Sequence, residues 1–363
     1  MGMTLHGSIM AGTAFFVAAG LIPVLRGPAR RFGLVDNPCR RKRHNGAVPL
    51  TGGLAMFLAF AVTMLFNLGY IGSYWTLLAG MAVLLVIGLL DDLMDIRALY
   101  KLIAQVTVAS LMVYAGGLEI AHLGNLFGAG KVGLGPFSTP FTIACVVLLI
   151  NAINMTDGLD GLAGGIGMVI LLMLAMIGWL GGAPASLITI CLVLAMAVLG
   201  FLIYNMQSPF RKNASAFMGD AGSMMLGFGV AWLAIAIVKS PGSSVYPITI
   251  AWLLLIPCMD ILAVTFRRMS QGRSPMSADR SHLHHIIQRC GFSTRATVRL
   301  VHLMVAGTGT VGILAWQFAL PQWLLFVMAS AAIVGYMVLL TIAHRIMRWR
   351  LRRRRAELAG SEA

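Results

Sequence analysis

Apolar windows of roughly 17 to 21 residues recur eleven times along the chain, at 8–25, 50–69, 74–90, 102–118, 137–154, 162–180, 186–204, 221–238, 246–266, 300–318 and 322–343. Each is long enough to cross a bilayer core of about 30 Å as a helix and too long for a barrel strand. Inside lipid, only a helix satisfies the backbone of such a run from within. The pattern predicts an all-α integral membrane protein with eleven transmembrane helices. It forms one polytopic unit over 1–343 with a basic tail at 344–363. The first window lacks a basic flank before it and a small-residue cleavage site after it, so it is expected to remain as an anchor.

The polar connections differ sharply on the two sides. Segments 26–49, 91–101, 155–161, 205–220 and 267–299, together with the tail, hold 25 of the 27 lysines and arginines. The other side holds only Lys131 and Lys239. Basic loops stay in the cytoplasm, so the N-terminus is expected to be periplasmic and the C-terminus cytoplasmic. The same distribution explains the net charge of +15 without a nucleic-acid partner. The run WRLRRRR at 349–355 suits anionic lipid headgroups at the membrane surface. Composition agrees, with 59% hydrophobic and 11% charged residues against about 25% charged in soluble domains. Five cysteines (Cys39, Cys145, Cys191, Cys258 and Cys290) form no CxxC pair, and no disulfide or zinc framework is expected.

Unusual polar sequence falls on the basic side alone: GLLDDLMD (88–95), NAINMTDGLDGLAGG (151–165), FMGDAGSMMLG (217–227) and RSPMSADRSHLHHI (273–286). Outer connections such as GYIGS, GGAPAS and KSPGSS are short and plain. A single acid at a helix end is usually just solvated. Here Asp91, Asp92, Asp95, Asp157, Asp160 and Asp220 come from three segments that helix packing could bring together. Carboxylates that close repel one another unless a cation holds them, and oxygen ligands select magnesium or manganese. The two acids of TDGLDG lie three apart and lack the spacing and closing glutamate of a calcium loop. FMGDAGS opens a helix, where free amides suit phosphate, although Asp220 could equally be an N-cap.

His282, His284 and His285 stand beside Arg280 without cysteine partners or an HExxH pattern. They fit contacts to phosphate or sugar oxygens, the bland alternative being a basic surface loop. Asp260 is an intramembrane acid and so a functional suspect, or else a partner for a neighbouring polar group. His302 and His344 read as helix-end residues. These parts fit one reaction class, in which a cytosolic diphosphate donor meets a lipid phosphate at the bilayer surface.

With these motifs in order (RFGLVDNPCRRKRH followed by PLTGG, then GLLDDLMD, NAINMTDGLDGL, FMGDAGSMMLGF and SPMSADRSHLHHI), the chain resembles the polyprenyl-phosphate N-acetylhexosamine-1-phosphate transferase family over nearly its whole length. HLHH is similar to the HIHH form of that family's GlcNAc branch. The resemblance implies transfer of GlcNAc-1-phosphate from UDP-GlcNAc to undecaprenyl phosphate, with magnesium, or manganese in its place, as cofactor. It implies a multi-pass protein of the bacterial inner membrane with its active site at the cytoplasmic face, starting O-antigen or common-antigen synthesis; a homodimer is compatible with it. It implies that Asp91 and Asp92 handle the acceptor phosphate or its proton and that Asp220 is the principal magnesium ligand. Asn154, Asp157 and Asp160 would line the nucleotide and metal site, with Asp157 and Asp160 counted among the catalytic acids. Phe217 would stack on uracil beside Gly219, His282, His284 and His285 would recognise the sugar, and Arg280 would meet the diphosphate. Two other classes share parts of this pattern. DDLMD also reads as the DDxxD of an intramembrane prenyltransferase, but TDGLD only partly echoes the second repeat that class wants. A nucleotide-sugar or lipid transporter needs midplane polar groups reachable from both faces, and the polar sequence here is one-sided. Direct displacement and an aspartyl intermediate use the same acids and are not separated by sequence.

Overall fold

The computed structural model describes residues 5–36, 46–207, 211, 213–274 and 282–361, with side chains as far as residue 342. Cys39, Arg280 and the side chains of the basic tail lie outside the described residues. The chain is helical almost throughout. Its long helices are α1 (Leu5–Arg31), α2 (Gly52–Met64), α3 (Leu68–Met94), α4 (Ala98–Tyr114), α5 (Ser138–Thr156), α6 (Leu162–Leu180), α7 (Ala185–Asn205) and α8 (Gly219–Lys239). A broken pair follows, α9 (Pro247–Leu253) and α10 (Leu255–Ser270), then the short α11 (Leu283–Arg289), α12 (Thr294–Gln317) and α13 (Gln322–Ser361). Strands β1 (Val35–Asp36) and β2 (Val48–Pro49) pair antiparallel, Val35 opposite Pro49.

Among the described residues, eight helices are long and apolar enough to cross a membrane, and the broken pair adds a ninth if counted as one span. α2 and α4 are apolar but shorter. Large apolar side chains such as Phe16, Trp179 and Leu339 are exposed, as a lipid-facing surface requires. The architecture is that of an all-α integral membrane protein.

Three windows differ from their predicted form, each for a local reason. Window 50–69 ends early because Asn67, in extended conformation, accepts a hydrogen bond from the Gly69 amide (3.1 Å) and starts a new helix. α3 then kinks at Tyr74, where the 74–90 window begins. Window 246–266 bends by 74° between α9 and α10. Pro257 accounts for the break: it has no N–H to donate to the Leu253 carbonyl one turn back, and its ring crowds that carbonyl. Nor is 91–101 a loop, since α3 runs through Met94 and α4 begins at Ala98.

α8 is the hub. Of its apolar window 89% is buried, the largest share of any span. It packs on α2, α3, α5 and α6 through small residues that let backbones touch. A Cβ on Gly88 of α3 would collide with the Ala221 backbone of α8, and one on Gly53 of α2 would lie 2.5 Å from the Gly222 amide. Where hydrocarbon surrounds both helices, such close fit is what drives association. Gly88→Leu is therefore expected to wedge α3 from α8 and cost about 3 kcal/mol. Thermal unfolding in detergent checks it, and an unchanged midpoint would contradict the packing.

Candidate active site

GLLDDLMD closes α3. Asp95 takes a left-handed conformation (φ 50°), and its amide donates to the Asp91 carbonyl (2.8 Å), so the helix stops one turn beyond the acid pair. Asp91 and Asp92 are thus consecutive helical residues, pointing about 100° apart around the axis. That angle sends them to different tasks.

Asp92 turns toward α8. Its Oδ1 accepts from the Asp220 amide (3.0 Å) and its Oδ2 from the Ala221 amide (3.3 Å). A helix N-terminus carries unpaired amides and partial positive charge, and a carboxylate from another helix satisfies both. The motif FMGDAGS allowed Asp220 to be its own helix's cap; the cap is instead Asp92. Gly219 makes the approach workable, because it sits at φ +70° and a Cβ there would run into the Asp92 carboxylate.

Asp91 and Asp220 face each other across Lys101, in the first turn of α4. The ammonium donates to Asp91 Oδ2 (2.7 Å) and to Asp220 Oδ2 (3.0 Å). Asp91 Oδ1 is buried without a hydrogen-bond partner among the described residues. Behind them, Asn154 of α5 donates to the Ser223 hydroxyl (2.9 Å), which donates to the Gly219 carbonyl (3.0 Å). Four helices therefore build one polar cluster at one end of the bundle.

Asp157 and Asp160 follow α5 in the TDGLDG turn. Asp157 is the residue after the helix end, half-buried. Asp160 accepts from the Ala214 amide (3.3 Å) and from Gln207 (3.4 Å), tying the turn to the 205–216 segment rather than to the Lys101 cluster. Asn205 fastens the same join, accepting from the Gly161 amide (2.7 Å) and donating to the Ala216 carbonyl (3.0 Å). Phe217 is held by its backbone between Pro49 (3.0 Å) and Gly52 (2.9 Å), and its half-buried side chain packs against the cluster of Ala29, Leu34 and Leu50. Among the described residues, no three His, Cys, Asp or Glu side chains form a group arranged to hold a metal. Of the six acids, Asp91, Asp92 and Asp220 meet at the start of α8, with Asp92 engaged by the helix end.

The histidine segment packs beside TDGLDG. His282 and His284 are buried, with near-parallel rings 6.0 Å apart, and His285 lies 4.2 Å from His284. His284 occupies the space a side chain on Gly158 would fill, a Cβ there lying 2.7 Å from its Nε2. His302, on α12, donates from Nε2 to the Leu162 carbonyl (3.2 Å), apart from the Lys101 cluster. Sequence reading missed Lys101 and Ser223. Lys101 was visible only as one more basic residue on the cytoplasmic side, and its place one α4 turn after the acid motif was the available signal.

The fold and this cluster describe a polytopic membrane protein with carboxylates and a lysine gathered at one end of its helices. Residues 74–238, which span that cluster, match glycosyl transferase family 4. Over 334 residues, 90% of each chain, the protein is 36% identical to the undecaprenyl-phosphate alpha-N-acetylglucosaminyl 1-phosphate transferase of Escherichia coli O157:H7. It is 35% identical to the protein of that name from Salmonella typhi over 350 residues, 94% of each chain. The counterpart from Pasteurella multocida is 36% identical over 337 residues, covering 91% of this chain and 93% of that protein. The chain belongs to the family of these transferases, as its motifs indicated.

Two outcomes follow. Asp92→Ala uncaps α8 and is expected to cost about 1–2 kcal/mol in thermal unfolding, with Asp92→Asn losing less because it keeps one acceptor. Equal stability of Asp92→Ala and the parent would contradict the cap. Burial lowers His284 from 6.5 to about 3, so the ring stays neutral in the folded protein while the unfolded chain takes up a proton. Its contribution is complete above pH 6.5 and is lost as pH falls toward 3. A melting series over that range should show a slope that His284→Phe reduces; an unaltered slope would rule the residue out.

Proposed function

We propose that the chain transfers GlcNAc-1-phosphate from UDP-GlcNAc to undecaprenyl phosphate at the cytoplasmic face of the bacterial inner membrane, giving GlcNAc-diphosphoundecaprenol and UMP. An acceptor phosphate oxygen attacks the β-phosphorus of the donor, the bond from that phosphorus to the bridging oxygen breaks, and UMP leaves with the electron pair. The product begins a cell-surface glycan such as O-antigen or common antigen. The observation that carries this proposal is Lys101 joining Asp91 and Asp220 beside the capped start of α8, in a chain that belongs to the transferase family. The eleven-span reading counts α2, α4 and the broken α9–α10 pair as spans. The cytoplasmic assignment is supported by the 25 of 27 basic residues on that side.

Each group then has a task its geometry supports. Asp92 is occupied by the α8 amides, so it holds the α3–α8 junction in place. Asp91 Oδ1, buried and unpartnered among the described residues, is the oxygen suited to take a residual proton from the acceptor phosphate. Most of that acceptor is already ionised, its second pKa being about 6. The Lys101 ammonium offsets charge between carboxylates and phosphates. Phe217 offers a flat apolar ring to uracil and the histidine segment meets the sugar, with Arg280 assigned to the diphosphate. Asp157 and Asp160 shape the turn between those two parts.

Asp91 Oδ2 and Asp220 Oδ2, which already share the Lys101 cation, form an oxygen-only donor set that fits a small hard cation. Magnesium, with manganese as substitute, would be held by Asp91 and Asp220 and would neutralise the donor diphosphate when bound.

Purified protein supplied with undecaprenyl phosphate is expected to release UMP from UDP-GlcNAc only with magnesium or manganese present. Asp220→Ala should lower that rate by about 10²-fold or more. Full activity in Asp220→Ala, or in excess chelator, would remove the metal assignment. Uptake of UDP-GlcNAc into vesicles without UMP would remove the enzymatic reading.

A further inference from the structure

The acid left over by that scheme is Asp260, in α10, away from the Lys101 cluster. It is only 3% exposed, yet three donors converge on its carboxylate. Oδ1 accepts from the Leu283 amide (2.9 Å) and from the Tyr336 hydroxyl (2.6 Å), while Oδ2 meets His282 Nδ1 (2.9 Å). These donors come from two places. Leu283 and His282 form the start of α11, the histidine helix, and Tyr336 belongs to α13. α11 has only seven residues and could not hold its own position by helix formation. Its first turn is instead fixed by a charge-accepting group buried in a membrane helix.

The contact also sets which nitrogen of His282 carries hydrogen. With Oδ1 already accepting twice, a carboxylate Oδ2 accepts from Nδ1–H, and in the neutral ring this puts the lone pair on Nε2 at the far side. His284 stacks parallel on that ring and reaches Gly158 of the TDGLDG turn, so the orientation of His282 carries into the whole histidine segment. We infer that Asp260 is a positioning residue for donor recognition: it acts through His282, whose ring and tautomer it sets, and Tyr336 braces it from the last membrane helix. The inference rests on the transferase reading, since donor recognition is that reading's role for the segment.

Asp260→Asn is the discriminating variant, because it preserves volume and leaves one oxygen for Leu283 and Tyr336. Its amide N–H₂ now faces Nδ1, and the ring must adopt the other tautomer, turning Nε2 from acceptor to donor. In full-length protein in nanodiscs, Asp260→Asn is expected to raise KM for UDP-GlcNAc about tenfold or more while KM for undecaprenyl phosphate stays within about twofold. His282→Gln should do the same, and the double variant should lose no more than the worse single one. Tyr336→Phe should show a smaller change in the same direction. Nitrogen-15 spectra of labelled histidine should show one ring exchanging its protonated nitrogen in Asp260→Asn.

A drop in melting temperature with both KM values unchanged would reduce Asp260 to a fold anchor and overturn the inference. So would losses that multiply in the double variant. If Asp260→Asn does not fold, Tyr336→Phe decides on the same KM comparison. If the parent protein releases no UMP, the transferase reading fails, and amide exchange across 282–289 judges the positioning role alone. Faster exchange there in Tyr336→Phe keeps that role, and exchange equal to the parent's removes it.

Discussion

Everything at the polar end of this bundle depends on how the start of α8 is satisfied. α8 is the most enclosed of the membrane helices, so its first amides have little water to bond. The Asp92 carboxylate supplies the missing acceptor from α3, and two glycines let it do so: Gly88 brings the α3 backbone onto Ala221, and Gly219 clears the path to the amides. Once that junction is set, Asp220 in the first turn of α8 and Asp91 in the last turn of α3 have few places to go. They meet on either side of the Lys101 ammonium. The chemistry of the site is in this sense a consequence of capping one buried helix.

The same constraint explains why acids can collect in so greasy a chain. Five of them have a defined counter-group: helix amides for Asp92, an ammonium for Asp91 and Asp220, the Ala214 amide and Gln207 for Asp160, and a histidine with a tyrosine for Asp260. A buried carboxylate without such partners would cost several kcal/mol and would be driven to its neutral form. Asp91 Oδ1, a buried carboxylate oxygen without a hydrogen-bond partner among the described residues, is therefore informative.

Much of this was legible in the sequence, for identifiable reasons. Hydropathy found the eight helices that, among the described residues, are long and apolar enough to cross a membrane, because lipid leaves the backbone no other solution, and the acid motifs stood out because polar sequence is scarce and one-sided. What periodicity could not show was where apolar runs break: Asn67 and Pro257 divide two windows through local backbone chemistry that a hydropathy average hides. Nor could spacing assign tasks within DDLMD, because two neighbouring aspartates are equivalent as letters and differ only by about 100° around the helix. Lys101 was hidden among residues that report orientation. Asp260 was suspected as an intramembrane acid, and its partners His282 and Tyr336, 22 and 76 positions away, needed the fold to bring them near.

The central claim is that Lys101 and Asp220, 119 positions apart, act as one unit at the start of α8. A double-mutant cycle on Lys101→Met and Asp220→Asn, read as kcat/KM for UMP release, tests this directly. Coupling of about 1 kcal/mol or more between the two changes is expected, and losses that add within about 0.3 kcal/mol would contradict the account.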